Sequence, residues 1–305
     1  MQYSIVITTY NRLNLLKRAI NSALQQTLPC EVVIVDDCSS DGTEEYIQSL
    51  GNQVIYHRHP RNMGHSASVN AGVDIASGDW IKLLDDDDYL SNECMETMDK
   101  IITNNPDIVI CSCQALQVDI NSNVIGQAKI ATGNIRYIPQ IDIHYLMLLD
   151  LLPFGTPTQV AFQKDAFMKS GGWDSAFDYN YDDIICWIKI AEYGDAILLD
   201  KYLAYRMVWP GSINKKISFQ ERLNKNILIK QKIMPLVSSK YTNILPTLKT
   251  IEEYLRLHWG FISAKNKNFP ESWQILSQAI FSPPAWQLFL KIRFSRKFHH
   301  LNDKT

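Results

Sequence analysis

Four consecutive carboxylates, Asp85 to Asp88, follow directly after a short apolar run, Trp80 to Leu84. The run predicts a buried strand, because a few apolar residues bounded by turn and polar residues are typical of a central strand. Adjacent carboxylates repel one another unless a cation or a cationic substrate neutralises them. Asp85 and Asp87 alternate as on a strand, so they face the same way and suit a divalent cation with hard oxygen ligands. An acidic surface loop is the alternative interpretation.

Polar side chains also follow the first two predicted strands. Residues 8–12, Thr-Thr-Tyr-Asn-Arg, could hold a nucleotide base and ribose, or could cap the helix that follows. Asp36 and Asp37 resemble the acidic residue that binds a ribose or a base edge in dinucleotide folds. The glycine fingerprint of those folds is missing, and so is a Walker loop. The phosphates of a bound nucleotide would therefore be neutralised by Mg²⁺ or Mn²⁺ at the acidic run.

A second acidic pair, Asp182 and Asp183, opens a helix predicted over residues 182–193. A carboxylate such as Asp183 could take the proton of an incoming hydroxyl group. With a cation to stabilise a diphosphate leaving group, this chemistry suits the transfer of a sugar from a nucleotide donor in a single displacement. The alternative is that both acids only interact with the positive end of the helix dipole.

The elements that must position these side chains alternate along the first hundred residues. Near-continuous apolar strands and amphipathic helices follow one another, which predicts an α/β fold with a parallel sheet covered on both faces. Ligands bind at the carboxyl ends of such strands, where the acids lie. The strands are predicted at 4–8, 31–35, 54–57, 80–84 and 107–113, and the helices at 12–26, 44–50, 66–76 and 94–103.

Beyond residue 216 the pattern changes to helices alone, predicted at 219–237, 243–264, 272–281 and 284–298. We therefore expect a catalytic domain over residues 1–215 and a C-terminal helical segment over residues 216–305. No assignment is made for most of residues 114–143, where short strand-like pieces alternate with turns.

Composition excludes several classes of protein. With 46% hydrophobic and 20% charged residues, the 305-residue chain should form a packed core. Its net charge of −2 argues against a nucleic-acid binder. No secretory signal or membrane-spanning run is present, so a cytoplasmic location is expected. Cys111 and Cys113 lack the spacing of a zinc knuckle, and the cysteines are expected to be reduced.

Taken together, these motifs resemble the inverting family-2 glycosyltransferases of GT-A fold. The resemblance rests on residues 6–12, 35–43, 62–64, 70–72 and 78–88, and on residues 171–174, 182–183 and 187 as acceptor-side motifs. It covers about residues 3–212. It implies a GT-A-type, mostly parallel sheet flanked by helices. It also implies transfer of a sugar, with inversion, from a nucleotide-diphosphate donor, most often a UDP-sugar, to a hydroxyl of a glycan or lipid-linked acceptor in surface polysaccharide biosynthesis.

The resemblance also implies roles for single residues. Asp183 would be the catalytic base, and Asp87, with Asp85 through water, would hold the metal ion. Asp37 would accept a hydrogen bond from the nucleotide base, and Asp86 would contact the ribose or the sugar. The implied donor-binding residues are Thr8, Thr9, Tyr10, Arg12, Asp37, Asn70, Asp85 and Asp86.

Two positions depart from the family pattern. Val69 stands where an arginine is frequent, and Trp209 stands where many members have a histidine that helps to hold metal or diphosphate. The second departure predicts looser metal binding.

Two other functions remain open at this level. A nucleotidyltransferase also uses acids and Mg²⁺, but it would need a glycine-rich or basic loop near the first strand, where only Arg12 is found. A non-catalytic carbohydrate-binding protein would not need the acidic run or Asp183. The tail from Lys291 to His300 mixes basic and apolar residues, which predicts either a packed helix or peripheral contact with the inner face of the cell membrane.

Overall fold

The computed structural model describes residues 1–127, 133–177, 181–208 and 217–299. The chain divides into two compact units, one of residues 1–140 and 154–210 and the other of residues 141–153 and 211–305. The division expected after residue 215 stays a prediction; by compactness the boundary falls after residue 210, and residues 141–153 group with the C-terminal helices. A short segment that packs with a distant part of the chain carries no local sign of that packing.

The first unit is built on one sheet, to which ten strands belong within the described residues. The strands are β1 (Tyr3–Thr9), β2 (Glu31–Asp36), β3 (Ile55–Arg58), β4 (Trp80–Asp85), β5 (Tyr89–Leu90), β6 (Ile108–Val118), β7 (Val124–Gln127), β8 (Ile135–Ile138), β9 (Val160–Gln163) and β10 (Asp195–Met207). Their order is β3-β2-β1-β4-β9-β6-β10-β5, with β7 beside β6 and β8 beside β10.

The strand directions confirm the expected α/β class. Strands β3, β2, β1 and β4 are parallel, and so are β6 and β10. Strand β9 runs antiparallel between β4 and β6 and joins the two parallel groups. The antiparallel strands β7 and β8 come from the stretch that the sequence left unassigned.

Helices lie between and after the strands. They are α1 (Leu13–Leu24), α2 (Thr43–Ser49), α3 (His65–Ile75), α4 (Cys94–Ile102), α5 (Gln140–Leu148), α6 (Lys164–Lys169), α7 (Asp182–Ile190), α8 (Phe219–Ile233), α9 (Leu248–Lys265), α10 (Phe269–Leu276) and α11 (Pro283–His299). Helix α9 begins five residues later than expected, after a short 3-10 helix, Ser239–Ile244. Pro246 separates the two, because proline disfavours helical geometry in the residue before it.

The two faces of the sheet pack differently. Ile5, Ile7 and Ile34 lie on one face, where α1, α2 and α4 cover them in a continuous apolar core. On the other face α3 approaches so closely that a Cβ atom on Gly72 would lie 2.4 Å from Val6 Cγ1. Glycine is therefore required at this helix position. The continuous apolar strands of the sequence reflect burial on both faces.

The register of the parallel strands brings the polar strand ends together. Thr8 pairs with Asp85 across β1 and β4, and Thr9 pairs with Asp36 across β1 and β2. Residues that are far apart in sequence therefore meet at one edge of the sheet.

The second unit contains α8 to α11 and most of α5. A buried apolar cluster joins α9, α10 and α11, and its members are Leu257, Leu276, Ala279 and Ala285. The ammonium group of Lys230 on α8 is buried and donates to the carbonyl of Met147 and to the carboxylate of Asp150. This pair fixes residues 141–153 to the helices. Among the described helices, none has both the length and the hydropathy needed to cross a bilayer.

Candidate active site

The acidic run at the end of β4 divides into two sets. Asp85, Asp87 and Asp88 each have a carboxylate oxygen within 4.8 Å of those of the other two. Asp86 lies apart, where its carboxylate accepts hydrogen bonds from Thr9 Oγ1 (2.8 Å) and Arg12 Nη1 (3.0 Å). The grouping of Asp85 with Asp87 agrees with the facing expected from their two-residue spacing.

Thr158 supports the three-carboxylate cluster from a distant part of the chain. Its hydroxyl group is buried, donates to Asp88 Oδ2 (2.8 Å) and lies 3.4 Å from Asp85 Oδ2. The other oxygen of Asp88 accepts the backbone N–H of Met207 at 2.8 Å. Both oxygens of Asp88 therefore have protein partners, and Asp85 and Asp87 are better placed to ligate an ion.

Three acids of the run, Asp85, Asp86 and Asp88, have pKa values above the usual range of a carboxyl group. Burial, with the nearby charge of Asp87, raises the pKa of Asp85 to about 6. Burial raises the pKa of Asp86 to about 6 as well, although Arg12 opposes the shift. The pKa of Asp88 is also raised, first by burial and then by the charge of Asp85. A divalent cation with hard oxygen ligands fits this set of donors and would relieve the repulsion.

On the other side of β1, Asp37 holds the chain that leads into α3. Its carboxylate accepts the backbone N–H groups of Met63 (2.6 Å) and Gly64 (2.9 Å). Two other residues predicted to line the nucleoside pocket differ in exposure: Thr8 is partly buried and Tyr10 is 46% exposed. These residues lie at the carboxyl ends of β1 and β2, as the sequence predicted. Their contact with a nucleoside remains a prediction.

Asp182 and Asp183 lie in the first turn of α7, and their environments differ. Burial and the charge of Asp182 raise the pKa of Asp183 to about 7. One oxygen of Asp183 accepts the N–H of Ile184 at 2.8 Å. Asp182 Oδ2 lies 3.3 Å from Nδ1 of His65. Burial raises the pKa of Asp182, but the hydrogen bond and charge of His65, with hydrogen bonds from Trp173 and the backbone of Asp183, hold the value below the usual one.

Asn70 on α3 holds the turn before α7. Its amide nitrogen donates to the carbonyl of Trp173, and its oxygen accepts the N–H of the same residue, both at 2.9 Å. Gly172 has φ +71°, and a Cβ atom there would lie 2.7 Å from the oxygen of Asn70. Asn70 thus has a positioning contact that the sequence did not indicate, and its predicted role in donor binding stays a prediction.

Sequence reasoning missed three residues of this site: Thr158, His65 and Arg18. Arg18 on α1 donates from Nη2 to the carbonyl of Asp87 (2.8 Å), and its guanidinium group lies 4.6 Å from the centre of the Tyr89 ring. None of the three belongs to a motif. Only the position of His65 after Gly64, at a helix start, gives a local signal. Trp209, the departure from the family pattern, lies outside the described residues.

Comparison with known sequences gives one family. The sequence model for glycosyl transferase family 2 matches residues 4–171. An uncharacterized glycosyltransferase of Haemophilus influenzae is 29% identical over 189 residues, which are 58% of this chain and 60% of that protein. Abequosyltransferase RfbV of Salmonella typhimurium is 32% identical over 127 residues, 39% of this chain and 38% of that protein. The chain therefore matches less than two thirds of the length of these two relatives.

A more distant relative matches over most of its length. The glucosyl-dolichyl phosphate glucuronosyltransferase of Haloferax volcanii is 22% identical over 303 residues, 84% of this chain and 92% of that protein.

Solved structures share the fold at low sequence identity. S. aureus TarS, solved in complex with UDP, has a TM-score of 0.59 and 16% identity, and the match covers 91% of this chain and 90% of TarS. The mannosyltransferase PcManGT of Pyrobaculum calidifontis, solved with GDP-Man and Mn²⁺, has a TM-score of 0.62 and 17% identity and covers 95% and 79%. These likenesses confirm the GT-A-type fold.

Proposed function

Since the chain belongs to glycosyl transferase family 2, we propose that it transfers a sugar, with inversion, from a nucleotide-diphosphate donor to a hydroxyl group of an acceptor. One observation carries the proposal. A cluster of three carboxylates at the end of β4 lies on the same sheet edge as the polar end of β1. The charge of its member Asp85 also contributes to the raised pKa of Asp183. A cation-binding cluster and a separate buried carboxylate are the two parts that this reaction needs.

Asp85 and Asp87 are the proposed metal ligands, and the metal is Mg²⁺ or Mn²⁺. A divalent cation bound there supplies positive charge that stabilises a diphosphate leaving group. The neutral donors Thr158 and the N–H of Met207 keep Asp88 in place beside them. The Mn²⁺ in the PcManGT structure supports this choice.

Asp183 is the proposed base. Hydrogen bonding to the Ile184 N–H engages one of its oxygens, and no other hydrogen bond to this carboxylate is found in the described part of the chain. A pKa of about 7 suits a group that must accept a proton near neutral pH. With a base for the acceptor hydroxyl and a diphosphate leaving group, a single displacement is sufficient, and a single displacement inverts the configuration at the sugar carbon.

For the donor we favour a UDP-sugar, and for the acceptor a glycan or a lipid-linked sugar. The UDP and UDP-GlcNAc in the TarS structures support the first choice, although PcManGT was solved with GDP-Man. The names of RfbV, of the succinoglycan biosynthesis protein ExoO of Rhizobium meliloti and of the glucuronosyltransferase of Haloferax volcanii support the second. Surface polysaccharide biosynthesis is therefore the proposed process.

The two alternatives are not favoured. A nucleotidyltransferase would need basic groups for a triphosphate near β1. Arg12, the one cation of residues 8–12, already contacts Asp86 and Asp87, at 3.0 Å and 3.7 Å. A non-catalytic carbohydrate-binding protein would have no use for the acidic cluster or for a base with a raised pKa.

We also place the enzyme in the cytoplasm, with the C-terminal helices at the inner face of the cell membrane. Exposed Lys291 and Arg293 on α11, beside the exposed Phe294, support this placement. Such a mixture of basic and aromatic groups is suited to an anionic bilayer surface.

The test of the function is a panel of UDP-, GDP- and TDP-sugars, assayed for donor hydrolysis and transfer with Mg²⁺, Mn²⁺ or EDTA. We expect one donor to be turned over with metal and none with EDTA. Asp87→Ala should abolish turnover and weaken nucleotide binding in the presence of metal. Full turnover in EDTA, or by this variant, would contradict the metal site.

A further inference from the structure

We infer that His65 is a positioning residue for the proposed catalytic base, acting through Asp182. This inference rests on the proposed function, because it assumes that Asp183 accepts the acceptor proton. His65 does not touch Asp183 in any hydrogen bond of the described residues. It contacts the adjacent carboxylate, with 3.3 Å between Nδ1 and Asp182 Oδ2.

The contact matters because two neighbouring carboxylates share the first turn of a helix. Left alone, Asp182 could rotate toward solvent or crowd the carboxylate of Asp183, since like charges repel at short range. Two contacts prevent this. Asp182 Oδ1 accepts the N–H of Asp183 at 3.1 Å, while Oδ2 is held by His65. Asp182 is thus fixed at both oxygens, and its side chain is only 13% exposed.

The imidazole ring is itself held in place from two directions. His65 is the first residue of α3 and follows Gly64, whose N–H bonds to Asp37. On its other side the ring lies edge-on to Trp173, with 5.6 Å between ring centres. Trp173 is in turn held at its backbone N–H and carbonyl by Asn70, on the same helix.

Helix α3 therefore connects the nucleoside side of the proposed site with the side that holds the base. Its start is bonded to Asp37, the predicted nucleoside contact, and its side chains hold Trp173 and Asp182 beside the base. A shift of the loop at Met63 and Gly64 would move His65 and, through it, the first turn of α7. In this path the side chain of His65 reaches the acidic pair at Asp182, with 3.3 Å between Nδ1 and Oδ2.

Three variants separate hydrogen bonding from packing. His65→Ala removes the ring and the hydrogen bond, and His65→Phe keeps an aromatic ring against Trp173 without a donor. His65→Asn retains an N–H donor close to the position of Nδ1. We expect kcat for transfer to fall about 10- to 100-fold in His65→Ala and His65→Phe, and to return to within about 3-fold of the parent in His65→Asn.

Binding of the donor should not change in these variants. The KM for the donor, and the Kd for UDP measured with Mn²⁺ by calorimetry, should stay within about 2-fold in all three variants, because the contact is with the base side of the site. An unchanged kcat in His65→Ala would overturn the inference. So would an equal loss in His65→Asn, or a loss that appears in the Kd for UDP rather than in kcat.

A double-mutant cycle with Asp183→Asn separates this inference from the proposed function. If His65 acts through the base, His65→Ala should lower kcat no further once Asp183 is Asn. If Asp183→Asn alone retains the parent rate, the proposed base is wrong. If Asp183→Asn loses the rate and His65→Ala lowers it further by the same factor as in the parent, the base stands and the inference about His65 fails.

Discussion

At the scale of single residues, the acids of the site differ in which hydrogen-bond donors and cations lie beside each carboxylate. Asp86 has the guanidinium group of Arg12 and the hydroxyl of Thr9, and Asp88 has two neutral donors. Asp85 has only the hydroxyl of Thr158 among its hydrogen-bonding side-chain partners in the described chain, and burial raises its pKa. Asp85, with no cationic partner among these hydrogen bonds, is the acid of the run whose charge a bound cation would offset most.

The pKa of Asp183 predicts a pH dependence for transfer. A base acts when it is deprotonated, so kcat/KM should be low below pH 7, rise through a pKa of about 7 and level off above it. Steady-state kinetics from pH 5 to pH 9 would measure the profile. Asp183→Asn should lower transfer by about 10²- to 10⁴-fold with little change in donor affinity. A variant that keeps its maximal rate but loses donor binding would make Asp183 a binding residue.

The hydroxyl of Thr158 should control metal affinity. Thr158→Val keeps the volume and removes the donor to Asp88 and Asp85, so we expect the Kd for Mn²⁺, measured by calorimetry with UDP present, to rise by about 10- to 100-fold. Thr103→Val is the matched control, because Thr103 is exposed and its hydroxyl contacts Asp99 rather than an acid of the run. If both variants bind Mn²⁺ like the parent, Thr158 does not support the metal ligands.

At the scale of elements, the close approach of α3 to the sheet decides where His65 and Asn70 lie. Gly72 packs directly on Val6 and Val35, and a Cβ atom added to it would lie 2.4 Å and 3.0 Å from their methyl carbons. Any side chain there would push the helix away from β1 and β2. The nucleoside side and the base side of the proposed site would then both be displaced.

Gly72→Ala should therefore lower the free energy of unfolding by about 1–3 kcal/mol, although alanine favours helix formation more than glycine does. Urea denaturation measures the change. Asp74→Ala, at an exposed position of α3, should stay within about 0.5 kcal/mol of the parent. The second substitution Val6→Ala should recover part of the loss, because it removes the methyl groups that collide. A Gly72→Ala variant as stable as the parent would show that α3 can move without cost.

At the scale of the whole molecule, charge is unevenly divided. Residues 261–305 contain 7 Lys and Arg against 2 Asp and Glu, so the preceding 260 residues contain 23 and 30. In the second unit, exposed basic groups and exposed aromatic rings occur together, as at Arg293 and Phe294 on α11. This distribution supports the proposed membrane contact of the C-terminal helices.

Charge reversal on α11 tests that contact better than removal of the helix. Deleting α11 would remove Ala285 from the apolar cluster of the second unit and would damage its packing. Lys291→Glu with Arg293→Glu should reduce binding to vesicles of anionic phospholipid at low salt, where electrostatic attraction is strongest. Lys100→Glu with Lys169→Glu makes the same charge change on exposed residues of the first unit. Equal vesicle binding by the two double variants would leave α11 as a structural helix only.

The sequence by itself determined the α/β class, the strand ends that carry polar groups and the identity of the acidic run. Continuous apolar strands, helical spacing and the position of Asp85 to Asp88 are local properties, and β1 to β4 lie within two residues of their predicted bounds. It also predicted Asp85 and Asp87 on one side, because the alternation of an extended chain is itself local.

Only the tertiary structure decided which residues complete the site. Thr158 reaches Asp88 across 70 residues, and His65 reaches Asp182 across 117. Strand β9, antiparallel between β4 and β6, is what brings the segment of Thr158 beside the acidic run. Contacts of this kind depend on chain closure and on strand order, which no periodicity within one segment contains. The same reason accounts for residues 141–153, which join the C-terminal helices through the ion pair of the buried Lys230 with Asp150.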